Sequence, residues 1–159
     1  MNENASLFFV DRHVDSHIKE KKAFIEYGSN QKFITYADLY EQSSKLRHFF
    51  SKFKINREDR VIILMQDVIS YPIIFWGCLK SGVIPVLLNT LLSSEVVNEI
   101  INNSRAKAVF ISSRLLSSFE NSVKKNVSIK HIIEVGTKIS NYINFDEEIK
   151  KCSFQETIN

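Results

Sequence analysis

Four histidines, two cysteines and many serines, asparagines and aspartates are the side chains of this 159-residue sequence that could do chemistry. The most suggestive spacing is His13 and His17, with Asp11 and Asp15 beside them. On a helix, positions i and i+4 share a face, and two imidazoles so placed can hold a metal ion. No third ligand follows at a convincing interval. The expectation is therefore the polar face of a surface helix, with no metal residue assigned. His48 and His131 stand alone. Cys78 falls in the apolar run Ile73–Leu79, where a thiol keeps a high pKa and stays inert. Cys78 and Cys152 form no paired motif, so a disulfide framework is not expected and reduced thiols in a cytoplasmic protein fit better.

Phosphate chemistry needs backbone donors that approach closely, which calls for glycine. The chain has four glycines and neither G-x-G-x-x-G nor G-x-x-x-x-G-K-[ST]. A G-x-S-x-G nucleophile elbow is also missing. No catalytic and no cofactor-binding residue is assigned. Ligand contacts are instead sought at Gln66/Asp67, Asn89/Thr90, Ser112/Ser113 and Gly136/Thr137, because these pairs follow predicted strands.

Those strands come from unalternating apolar runs near residues 61–65, 83–88, 108–111 and 132–135. Such runs mark strands covered on both faces. Between them lie helical patterns: Ser70–Ser81, apolar almost all round; Ser93 to about Asn103; and Ser113–Val123, with a short helix at Phe145–Lys151. Strand–helix alternation of this kind predicts a parallel sheet flanked by helices on both faces. Ligands then bind beyond the carboxyl ends of the strands. Pro85, which cannot donate to a ladder, belongs near a strand start or on an edge.

Ahead of the sheet, Leu7, Val10, Val14 and Ile18 predict an amphipathic helix from Ser6 to Glu20. Ala23–Tyr27 and Lys32–Thr35, separated by Gly28-Ser29-Asn30-Gln31, predict a small β-hairpin. Thr35, with Asp38 three residues on, predicts the capped start of a helix reaching about Phe53. The organisation expected is an N-terminal helix over 1–22 and one α/β unit over 23–159.

The net charge of +3 is spread over short clusters such as Lys19/Lys21/Lys22 and Lys52/Lys54/Arg57. This is not the coherent basic stripe of a nucleic-acid partner. Met1–Val10 lacks the basic and apolar regions of a signal peptide, and Ile73–Leu79 is too short to span a bilayer.

Three stretches carry a resemblance: Ile34-Thr35-Tyr36-Ala37-Asp38-Leu39, Glu58-Asp59-Arg60-Val61, and Gly77-Cys78-Leu79-Lys80-Ser81-Gly82-Val83-Ile84-Pro85-Val86. In order and spacing they resemble the opening of the AMP-binding domain of adenylate-forming enzymes. Phe9-Val10-Asp11-Arg12-His13, Asn89-Thr90-Leu91-Leu92 and Asn103-Ser104-Arg105-Ala106-Lys107-Ala108-Val109 resemble benzoate–CoA ligases and related aryl-acid ligases. The resemblance implies an incomplete AMP-binding large domain. It implies a two-step parent reaction: carboxylate and ATP give an acyl-adenylate, and the CoA thiol then displaces AMP.

The family's phosphate loop, ribose-binding aspartate and catalytic lysine all lie downstream of the region matched, so none is carried over. Many relatives also bear an arginine beside the position of Thr90, implicated in binding the CoA nucleotide; here Leu91 stands there. The chain alone is expected to be inactive and to need no cofactor, whereas the complete enzyme uses ATP, Mg²⁺ and CoA. The partners expected are a chain supplying the missing part or a second copy. The alternatives are a non-catalytic module derived from the scaffold, or an unrelated receiver-like domain. A receiver would offer an acidic cluster at the strand ends, where only Asp67 stands.

Overall fold

The computed structural model describes residues 4–28 and 31–154. A short helix, α1 (Ala5–Phe9), opens the chain, capped by the Asn4 side chain accepting the Ser6 N–H. The helix expected to reach Glu20 stops at Phe9. Asp11–His13 is a 3-10 turn, and from His13 to Lys21 the bonds run mostly between residues three apart. Val10 is fully buried, and its neighbour Asp11 turns inward to the Lys80 ammonium at 2.6 Å.

β1 (Lys22–Glu26) and β2 (Lys32–Thr35) pair antiparallel, as expected, with Phe24 opposite Ile34 and Ile25 opposite Phe33. The turn expected at Ser29 and Asn30 lies outside the described residues, as does the tail beyond 154. Thr35 and Asp38 cap α2 (Tyr36–Lys52) reciprocally. Thr35 Oγ1 accepts the Asp38 N–H at 3.1 Å, and Asp38 Oδ2 accepts the Thr35 N–H at 3.2 Å.

The βαβ series follows: β3 (Arg60–Leu64), α3 (Ser70–Ser81), β4 (Ile84–Leu87), α4 (Ser94–Ser104), β5 (Ala108–Ser112), α5 (Leu116–Lys124), β6 (His131–Val135), β7 (Ile143–Asn144) and α6 (Phe145–Glu148). All the pairings in this series are parallel, and the order across the five-stranded sheet is β4-β3-β5-β6-β7. β7, two residues long, is too short to show as a sequence pattern.

Successive strand residues point to opposite faces, and two cores result. Val61, Ile63 and Phe110 face α2, α3 and α6, where Phe49, Phe50 and Phe145 close around Phe110. Ile62, Leu64, Val109 and Ile111 face α4 and α5 and meet Val97, Ile101, Phe119 and Val123. α2 and α3 touch closely at Gly77: a Cβ there would lie 2.7 Å from Leu46 Cβ, so only glycine admits the contact. Pro85 sits on the edge strand. The Ile84 N–H donates to the Asp59 carbonyl, just ahead of β3, at 2.9 Å and the Leu88 N–H to Ile63 of β3 at 3.0 Å, which leaves the intervening Pro85, without its N–H, on the open side. No helix among the described residues is long and apolar enough to cross a membrane.

Candidate functional site at the carboxyl end of the sheet

β3 is followed by β4 on one side and, after α4, by β5 on the other. The crevice between the ends of β3 and β5 is therefore the topological switch point, the usual ligand position in an open parallel sheet. Here the sequence-predicted pairs converge. Gln66, Asp67, Ser112, Ser113, Gly136 and Thr137 line one cleft of about 760 Å³. Asn89 and Thr90 line an adjoining recess of about 350 Å³ that shares Gln66 and Asp67. Leu91, next in the chain after Thr90, is 90% exposed.

Several polar groups of the cleft are bonded to one another. Ser112 Oγ accepts the Gln66 N–H at 3.0 Å, across the switch point itself. The Ser113 hydroxyl donates to the Val135 carbonyl at 3.0 Å. Asp146 spans two loops: it accepts the Gly136 N–H at 2.6 Å and the Ser70 hydroxyl at 3.2 Å. Gly136 has φ +102°, a conformation that side chains rarely adopt, and the turn it makes brings its N–H onto Asp146. Glu26, reaching over from β1, accepts the Ile69 N–H at 3.0 Å. Lys32 and Arg114 bring positive charge to the rim, and Asp67 brings negative. Tyr71 in the recess is held protonated above its ordinary range, first by burial and then by the nearby Asp67 charge.

This arrangement can grip and orient a polar ligand. Neither histidine nor cysteine is among the lining residues, and the hydroxyls of Ser70, Ser112 and Ser113 each already have a protein partner. Glu26 and Asp146 are spent on backbone N–H groups, and the described residues contain no group of three or more His, Cys, Asp or Glu able to hold a metal.

The other candidates lie elsewhere. His13 and His17 do not share a helix face, since α1 ends before either; the His13 ring packs against Tyr36 at 4.6 Å. His48 Nδ1 lies 3.0 Å from the Ser153 N–H and 2.8 Å from its hydroxyl, and His131 packs edge-on to Phe53. Cys78 is fully buried, and burial pushes its thiol far above the ordinary range. Sequence reasoning missed Glu26, Lys32 and Asp146, because the hairpin and α6 reach the cleft only through tertiary packing, and it stopped one residue short of Arg114, which directly follows Ser113. It also missed Lys80, buried between α2 and the N-terminal segment. Its ammonium meets Asp11 at 2.6 Å, Ser44 at 3.1 Å and the Tyr40 ring at 4.0 Å.

Residues 10–156, nearly the whole chain, match the family described as AMP-binding enzyme. This chain belongs to that family. Among curated AMP-binding relatives, the 4-hydroxybenzoate–CoA/benzoate–CoA ligase of Rhodopseudomonas palustris is 32% identical over 133 residues, 84% of this chain and 24% of the relative. The benzoate–CoA ligase of Thauera aromatica is 32% identical over 79 residues, 50% of this chain and 15% of the relative. Among solved AMP-binding structures, an anthranilate CoA ligase in complex with anthranoyl-AMP superposes with TM-score 0.87 at 18% identity, covering 97% of this chain and 29% of that one. A benzoate CoA ligase from Burkholderia xenovorans gives TM-score 0.81 at 21% identity, with the same coverage. These superpositions establish the fold: an α/β unit with a parallel sheet, flanking helices and hairpin. The chain spans about a quarter of the length of the AMP-binding relatives it matches.

Proposed function

We propose that this chain is the opening part of an ATP-dependent acid–CoA ligase acting on an aryl acid such as benzoate, and that it does not form acyl-adenylate alone. The observation that carries the reading is the 32% identity to a 4-hydroxybenzoate–CoA/benzoate–CoA ligase across 84% of the chain. The chemistry of the switch-point cleft agrees with the second half. Stabilising a transferring nucleotidyl group takes preorganised donors and a cation clamp. Several of the cleft's donors and its Glu26 and Asp146 carboxylates are instead used to lock its own loops. Its role is then scaffold and one wall of a channel, with ATP, Mg²⁺ and CoA bound mainly by the rest of the ligase.

Two measurements test this. In ATP–pyrophosphate exchange with benzoate, 4-hydroxybenzoate and anthranilate, the purified chain should not exceed a no-protein control; turnover above it overturns the inactivity. In a chimera, the matched segment of the R. palustris ligase is replaced by this chain. Benzoate-dependent exchange by the chimera supports the aryl-ligase reading. A folded but silent chimera favours a non-catalytic interaction module built on the same scaffold.

A further inference from the structure

Away from the switch-point cleft, at the opposite end of β6 from Gly136, the molecule has a second concave site. Lys124, Lys130, His131, Asn141 and Tyr142 supply the polar groups of a pocket of about 410 Å³, and isoleucine and valine side chains supply the rest. The pocket is open because β7 begins opposite Ile133. Among the described residues, His131 and Ile132 therefore have no strand beside them on that side.

The charge of this pocket is one-sided. Two ammonium groups and an imidazole line it, and no carboxylate does. Lys124 lies in the last turn of α5, where a lysine answers the carbonyl end of its own helix. Lys130 and His131 lie beyond the helix, in the following loop and strand, so that account does not cover them. The Lys130 ammonium donates to the Val127 carbonyl at 3.0 Å. An ammonium has three donors, so Lys130 keeps protons for a ligand. Among the described residues, the His131 ring meets Phe53 edge-on at 5.5 Å, and its nitrogens have no hydrogen-bond partner. Glu120 stands behind the wall. It accepts from the Lys124 ammonium at 2.6 Å and from the Tyr142 hydroxyl, which fixes both side chains in place. Glu120 offsets part of the Lys124 charge, so Lys130 and His131 are the cations left to meet an anion.

The lining selects a class of ligand. An inorganic anion would use the donors and leave the isoleucines in water. A wholly apolar molecule would leave the cations without partners. A small ring or alkyl group carrying a phosphate uses both. Several cationic donors converging on one group also favour a doubly charged phosphate over a singly charged carboxylate. The volume falls within the roughly 300–1,000 Å³ of small-molecule sites. We infer that this pocket binds a small organic phosphate monoester, with its phosphoryl oxygens on Lys130, His131 and Asn141 and its organic group against Ile129 and Ile132. Occupancy here is independent of the ligase reading, because the pocket shares no lining residue with the cleft.

Titration calorimetry of the purified chain with phenyl phosphate, at fixed ionic strength, tests this. One molecule should bind per chain. Lys130→Gln and Asn141→Asp should each weaken binding about tenfold, as expected for loss of a charge-assisted hydrogen bond or gain of a repelling carboxylate. Both residues are exposed, so the fold should survive, and thermal melts without ligand check that it does. Lys150→Gln, an exposed position outside the pocket, should change nothing. Inorganic phosphate, which lacks the ring, and benzoate, which has the ring but a single charge, should each bind at least about fivefold more weakly than phenyl phosphate. Absence of saturable binding at millimolar phenyl phosphate overturns the inference. So does equal affinity for inorganic phosphate or benzoate, and so does binding that Lys130→Gln and Asn141→Asp leave intact.

Discussion

On one side of the central sheet, α4 and α5 lay Val97, Ile101, Phe119 and Val123 onto the strands and turn mainly polar residues outward. On the other side, α2 and α3 also cover the strands, but α3 and the hairpin beyond them carry Phe24, Ile25, Phe75 and Trp76 toward an open hollow. Both faces are packed against the sheet. They differ one layer further out, where one side ends in a polar surface and the other in apolar residues with nothing over them. Burial next to the sheet therefore governs whether the chain folds, and the outer layer governs what it meets.

The strongest way to break this contrast is to compare Phe119→Ala with Ile25→Ser. Phe119 is 5% exposed, and its loss should cost about 3–5 kcal/mol of unfolding free energy. Ile25→Ser should stay within about 0.5 kcal/mol while lowering binding of an apolar dye. Equal shifts in urea midpoint would erase the distinction between the layers. Next in size is Gly77→Val. Its side chain would collide with Leu46 and should cost about 1–3 kcal/mol by overpacking; full stability in a thermal melt would mean that the α2–α3 contact is slack. Thr35→Ala removes the cap that joins the hairpin to α2 and should cost about 1 kcal/mol, with faster amide exchange confined to the first turn of α2. An unchanged exchange pattern there would show the cap to be idle.

The smallest effect is in acid. Glu148 is held below the ordinary glutamate value of 4.5, first by the Lys151 hydrogen bond and then by that from Lys52. Asp59 also lies low: burial works upward on it, but the Lys107 and Asn56 hydrogen bonds and the Lys107 and Arg60 charges outweigh this. A carboxylate whose folded pKa is depressed contributes stability above its unfolded pKa and loses it as pH falls through the folded value. Urea midpoints should accordingly be level from pH 7 to 5 and decline below about 4.5, the ordinary glutamate value. Glu148→Gln should flatten part of that decline, and high salt should shrink it, because these pairs are partly exposed. A profile independent of Glu148 would remove that pair from the account.

The sheet was legible because a strand covered on both faces writes an unbroken apolar run, and Val61–Leu64 and Ala108–Ile111 are such runs. The Thr35–Asp38 cap was legible because its two partners are local. The N-terminal segment was not. Leu7, Val10, Val14 and Ile18 keep helical spacing, but the chain there runs in short turns and Asp11 pairs with the distant Lys80, a contact no local spacing records. The cleft was half legible. Parallel topology locates the strand ends from sequence, whereas Glu26 and Asp146 arrive from segments whose position no periodicity records. Pro85 looked awkward as a strand residue and proved to mark the edge.

The strand order β4-β3-β5-β6-β7 also bears on how the chain is made. Read from the N-terminus, each strand after β3 joins an edge that is open when it arrives. β4 takes one side of β3, β5 takes the other, and β6 and β7 extend from β5. No strand has to be threaded between two that are already paired. The sheet can thus grow in step with a polypeptide leaving the ribosome, and at no stage need a finished ladder be reopened to admit a later segment.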